Sequence, residues 1–116
     1  MPLPPHKSNV AVLSADDSLR RQIAECLGGD FGLEETATPE KAYQLLERVK
    51  PDILVLDLNS GKDTLRDGLE LINRIGNSGL DTLIVVLNDD PRQQSILRVM
   101  AAGAYDCLLK PVSPAV

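Results

Sequence analysis

In the middle of this chain the stretches Ile53-Leu54-Val55-Leu56 and Leu83-Ile84-Val85-Val86-Leu87 are apolar without a break. A strand wet on one face alternates apolar with polar residues, so an unbroken apolar run is the signature of a strand covered on both faces. Around these runs the pattern switches to helical spacing. Val10–Leu13 is a first β-rich run. Asp17–Leu27 then sets Leu19, Ile23 and Leu27 on one helical face, with Gly28-Gly29 as the stop. Phe31–Thr36 is a weaker strand. Thr38 is placed to cap a second helix with Pro39 at its first position, and Ala42, Leu45, Leu46 and Val49 form its apolar face before Pro51 ends it.

A polar loop over Asn59–Leu65 leads to a third helix with Leu69, Ile72 and Ile75 inward, broken at Gly76-Asn77-Ser78-Gly79. Asp90-Pro91 opens a fourth helix with Ile96, Val99 and Met100 inward, closed by Gly103, and Ala104–Leu109 is the last strand. Strict alternation of strands and helices implies parallel strands joined by right-handed crossovers. The expected fold is α/β: a doubly wound, five-stranded parallel sheet of order 2-1-3-4-5, flavodoxin-like. Residues 1–8, rich in proline, read as a flexible leader and residues 9–116 as one domain. A final helix over the last strand is absent or truncated, which would leave one sheet face bare and favour self-association as a homodimer.

Composition narrows the function. The net charge of −5 is the wrong sign for tracking a phosphate backbone, and three aromatic residues without tryptophan make no base-stacking platform. Direct nucleic-acid binding is therefore not expected. No apolar run approaches the roughly 20 residues of a membrane span, and the start lacks a secretory signal, so a cytoplasmic location is expected. Cys26 and Cys107 sit in apolar patterns, as free thiols in a reducing compartment would.

In an open parallel sheet, ligands bind beyond the carboxyl ends of the strands. Strand one leads into Asp16-Asp17, strand three ends at Asp57, strand four at Asn88 and strand five at Lys110. Separately these have plain explanations: either acid can cap the first helix and offset its dipole, Asp57 can serve a turn, and Lys110 can be a solvated strand end. Together, three carboxylates on neighbouring strands need a counter-charge, since two like charges 4 Å apart repel by roughly 4 kcal/mol at an effective dielectric near 20. Oxygen-only ligands select a hard ion, Mg2+ before Ca2+. His6, the only histidine, lies in the leader, which removes a zinc site, a Ser-His-Asp triad and a histidine base. A carboxylate beside Mg2+ and lysine can attack a phosphoryl group and hold it as an aspartyl phosphate.

Val10–Asp17 (VAVLSADD), Pro51–Leu58 (PDILVLDL), Asp67-Gly68-Leu69 and Gly103–Pro111 (GAYDCLLKP) resemble the receiver domain of two-component response regulators, over residues 9–111. The stretch from Asn88 to Pro111 further resembles receivers that precede σ54-type transcription activators. The resemblance implies a phosphorelay module rather than an enzyme in its own right, with only Mg2+-dependent self-phosphorylation and autodephosphorylation. Asp57 would be the phosphoacceptor, taking phosphate from a sensor histidine kinase or phosphotransfer protein. Asp16, Asp17, Asp57 and the backbone carbonyl of Asn59 would hold Mg2+. Lys110 and Asn88 would bind the phosphoryl group, with a cis Lys110–Pro111 bond. Asn59 and Asp90 would tune dephosphorylation.

The output would pass to an effector beyond residue 116 or to a partner protein, with transcription regulation as the outcome. Two departures touch switching. Asn88 stands where such receivers place serine or threonine, and Cys107 where they place tyrosine or phenylalanine, so the usual coupling between hydroxyl and ring cannot operate there. They motivate the alternative of a pseudo-receiver, a phosphorylation-independent interaction module. A phosphatase with an aspartyl intermediate is disfavoured, because that chemistry wants a second acid where Asn59 stands.

Overall fold

The computed structural model describes residues 9–27, 32–58, 62–88 and 93–110. Its elements run β1 (Asn9–Leu13), α1 (Asp17–Leu27), β2 (Gly32–Thr36), α2 (Pro39–Val49), β3 (Ile53–Leu58), α3 (Lys62–Gly76), β4 (Leu83–Asn88), α4 (Gln93–Ala102) and β5 (Asp106–Leu109). All strand pairs are parallel and the sheet order is β2-β1-β3-β4-β5, the expected doubly wound arrangement. The leader at residues 1–8, Asn59, Asp90 and Pro111 lie outside the described residues, so the expectations placed on them gain no structural account.

The two apolar runs occupy the middle of the sheet, as β3 and β4. Leu54, Leu56, Leu58, Ile84 and Val86 point to one face, where Ala42, Leu45 and Leu46 of α2, Leu71, Ile72 and Ile75 of α3 and Val99 of α4 cover them. Val10, Val12 and Leu87 point to the other face and pack on Leu19 and Ile23 of α1. Burying each such side chain is worth about 1.5–3 kcal/mol, so this double layer is the main stabilising term. Among the described residues, three helices cover one face and α1 the other. On the α1 side Leu83 and Leu108 are 45% and 48% exposed.

Local signals set the element ends. The Thr38 hydroxyl accepts from the Lys41 N–H at 3.4 Å, and Pro39 begins α2 at no hydrogen-bond cost. Lys50 closes that helix in the left-handed region at φ 51°, where its N–H returns to the Leu46 carbonyl. Arg74 of α3 stacks 3.7 Å from the ring of Tyr43, tying α3 to α2. At Gly68 a Cβ would run into a Leu58 methyl, so its absence lets α3 close down beside β3.

Three expectations need correction. Helix α3 starts at Lys62, not after Leu65, because its first three residues (Lys62-Asp63-Thr64) carry no apolar periodicity to read. Strand β5 starts at Asp106 rather than Ala104, since Ala104 returns its N–H to the Val99 carbonyl and still belongs to the α4 turn. Met100 is 39% exposed, and Val99 is the residue that α4 buries completely. At the site, β1 ends at Leu13 as expected, and Ser14-Ala15 separate it from Asp16.

Candidate functional site

Asp57 is the last residue but one of β3, and only 3% of its side chain is exposed. A carboxylate so far from water needs hydrogen bonds and a counter-charge. Both are present. The Ser14 hydroxyl donates to Oδ2 at 2.7 Å, and the Lys110 ammonium lies 2.5 Å from Oδ1.

The placement follows from register. Leu13 of β1 pairs with Leu56 of β3, so Ser14 and Asp57 are the next residues out on neighbouring strands. Asn88 of β4 pairs with Leu58 and with Leu109 of β5, and its carbonyl accepts the Lys110 N–H at 3.0 Å, which brings the lysine to the same rim. Ser14 is itself held on three sides. Its N–H donates to the Thr36 carbonyl at 3.0 Å, its carbonyl accepts from Arg20 Nη1 at 2.8 Å, and its hydroxyl accepts the Asp16 N–H at 3.0 Å.

The acids expected to join Asp57 do other work. Asp16 Oδ1 accepts the N–H groups of Ser18 at 2.9 Å and Leu19 at 3.3 Å, which makes Asp16 the N-cap of α1. Asp17 is 76% exposed at its side chain and pairs with Arg20, one helical turn on. Arg20 also reaches toward Glu35, 3.6 Å away. The plain helix-cap explanation therefore holds for Asp16, and the pocket of three carboxylates does not form.

A divalent Mg2+ wants several oxygen ligands in near-octahedral order. Of the side chains expected to supply them, Asp57 alone reaches the rim, and its two oxygens face an ammonium and a hydroxyl. Among the described residues no three His, Cys, Asp or Glu side chains gather to hold a metal. This donor set does not fit the Mg2+ site that the resemblance implies.

Lys110 and Asn88 sit where expected. Asn88 is buried at 3% exposure and shares a side-chain hydrogen bond with Cys107, so the two atypical positions meet each other. Burial pushes the Cys107 thiol above its ordinary pKa, Asp106 adds to that, and the hydrogen bond with Asn88 works the other way. A neutral, half-buried thiol at this position offers neither a nucleophile nor a ring to swing.

Beside Asp57 opens a cavity of about 160 Å3, bordered by Ser14, Ala15, Ala37, Pro39, Asp67 and Gly68 among others. Ser14 is the residue that sequence reasoning missed. The signal was present: counting outward from the ends of the apolar runs, at Leu13 and Leu56, leads to Ser14 opposite Asp57, whereas looking for the nearest acid leads two residues too far.

The family model described as the response regulator receiver domain matches residues 10–116. The chain is 29% identical over 111 residues to a protein-glutamate methylesterase/protein-glutamine glutaminase of Bacillus subtilis, covering 88% of this chain and 29% of that protein. It is 28% identical over 117 residues to the nitrate/nitrite response regulator NarP of Escherichia coli, covering 97% and 53%. The chain thus spans under a third of the first relative and about half of the second. Among solved structures, the receiver domain of a putative LuxO repressor from Vibrio parahaemolyticus superposes with a TM-score of 0.83 at 20% identity, over 95% of this chain and 83% of that one. These likenesses give the σ54-activator subtype no support.

Proposed function

The chain belongs to the response regulator receiver family, and from that premise we propose that it acts in two-component signalling as a pseudo-receiver, passing its signal by protein contact without taking up phosphate. The observation that carries this reading is the Ser14 hydroxyl on Asp57, in a rim where Asp16 caps a helix and Asp17 pairs with Arg20. The Asn88–Cys107 contact supports it, because an amide and a thiol cannot couple phosphorylation to an inward-moving ring. The Lys110 ammonium lies against the Asp57 carboxylate within the folded domain and supplies its counter-charge.

The partner is an effector, either continuous with this domain or a separate protein. NarP and the methylesterase, whose names denote a response regulator and an enzyme, suggest those two kinds of output. Cytoplasmic action fits such partners, and no helix among the described residues is long and apolar enough to cross a membrane. Self-association belongs to the same proposal and is read by light scattering.

A second reading has its own observation. The Asp57–Lys110 contact is what a phosphoacceptor served by a sensor histidine kinase would retain. Beryllofluoride or acetyl phosphate with Mg2+, added to wild type and to Asp57→Ala, separates the two. The proposal expects identical amide spectra and no added mass in both proteins. Modification of the wild type that Asp57→Ala abolishes would establish the second reading instead.

A further inference from the structure

We infer that Ser14 and Ala15 are the two positions that deny a divalent cation a place against Asp57, and that Lys110 permanently supplies the counter-charge such an ion would bring while the Ser14 hydroxyl supplies a hydrogen bond. This deepens the reading of a phosphate-independent module by naming what removes the cation, and it rests on that reading only for its biological meaning.

Geometry fixes which residues matter. Leu13 pairs with Leu56, so the chain leaving β1 passes Asp57 at Ser14 and Ala15, not at Asp16. Ser14 touches the carboxylate at 2.7 Å, and Ala15 borders the cavity that Asp57 also borders. A neutral hydroxyl and a methyl group therefore occupy the stretch from which β1 would offer anionic ligands. Asp16 cannot replace them without giving up the Ser18 and Leu19 N–H groups that it caps. Asp17 is one residue further into the helix and turned to Arg20.

Charge points the same way. Asp57 and Lys110 form a neutral pair with a side-chain exposure of 3% and 20%. An arriving cation would meet the Lys110 ammonium at Oδ1, while Asp67, which borders the same cavity, lies 3.7 Å from the Arg66 guanidinium, and repulsion between like charges in a poorly solvated rim is strong. The Ser14 hydroxyl can donate to only one acceptor, and it spends that proton on Oδ2.

The test is a Mg2+ titration, followed by calorimetry and by amide shifts, of wild type, Asp17→Asn, Ala15→Asp and the Ser14→Asp/Ala15→Asp double variant. The inference expects no saturable binding by wild type and the same trace from Asp17→Asn. It expects Ala15→Asp to gain saturable binding and the double variant to bind at least about tenfold more tightly than Ala15→Asp, as each added carboxylate faces the ion across a short gap. Should the double variant fail to melt cooperatively, Ala15→Asp carries the test alone, because its new side chain enters an existing cavity. Saturable binding by wild type that Asp17→Asn abolishes would overturn the inference, and so would a folded Ala15→Asp with no gain. A wild type that refuses beryllofluoride while Ala15→Asp gains nothing would sink the inference and leave the proposed function standing.

Discussion

Asp57 and the Asp16–Asp17 pair are chemically the same, yet the fold puts them to opposite uses. Asp57 ends a strand with helices to either side of its sheet, where a charge is tolerated only when answered, and Lys110 and Ser14 answer it. Asp16 and Asp17 stand at the open start of α1, where unpaired N–H groups and water make any acid welcome. Burial makes Asp57 dependent on two distant parts of the chain. Exposure leaves the pair dependent only on its own helix.

That contrast predicts a ladder of effects. Lys110→Met should be the most damaging, lowering stability by about 3 kcal/mol because the Asp57 charge is left buried without its partner. Adding Asp57→Asn to it should recover much of the loss, and urea melts of both variants check this. If Lys110→Met melts like wild type, Asp57 does not depend on the ion pair. Ser14→Ala removes the donor to Oδ2 and should cost about 1–2 kcal/mol, read as a shift in the urea midpoint at unchanged slope.

Asp16→Ala deletes the cap of α1 and should cost about 1 kcal/mol, with faster amide exchange confined to the first turn of that helix. Spread of that faster exchange to the β3 rim would mean that Asp16 supports Asp57 after all. Asp17→Asn should be the mildest, within about 0.5 kcal/mol of wild type, because its pair with Arg20 is solvent-exposed and screened. A larger loss from Asp17→Asn than from Ser14→Ala would reverse the comparison between the two regions.

The fold was legible residue by residue. The unbroken apolar runs announced β3 and β4, the spacing of Leu19 and Ile23 announced α1, and Thr38-Pro39 marked the start of α2. Boundaries slipped where the first turn of a helix is polar, as at Lys62, or where a helix unwinds through Gly103 into an extended segment, as at Ala104. The site was half legible. Asp57 and Lys110 could be placed because each follows directly on an apolar strand. The two acids after β1 were attractive as ligands because they are acids, while the serine that does the work carries no charge and drew no notice.

Periodicity, capping residues and apolar runs are local properties, fixed by neighbours within a few positions, and they determined the order of elements and the doubly wound sheet from the sequence alone. Which polar group meets Asp57 is a different kind of question. It depends on the pairing register of β1 against β3, set 43 residues apart, and on a contest for the Asp16 carboxylate in which the N–H groups at the start of α1 hold it against any cation at the Asp57 rim. Only the packed sheet decides that contest, because the backbone donors of α1 take their final direction when the helix lies down on β1.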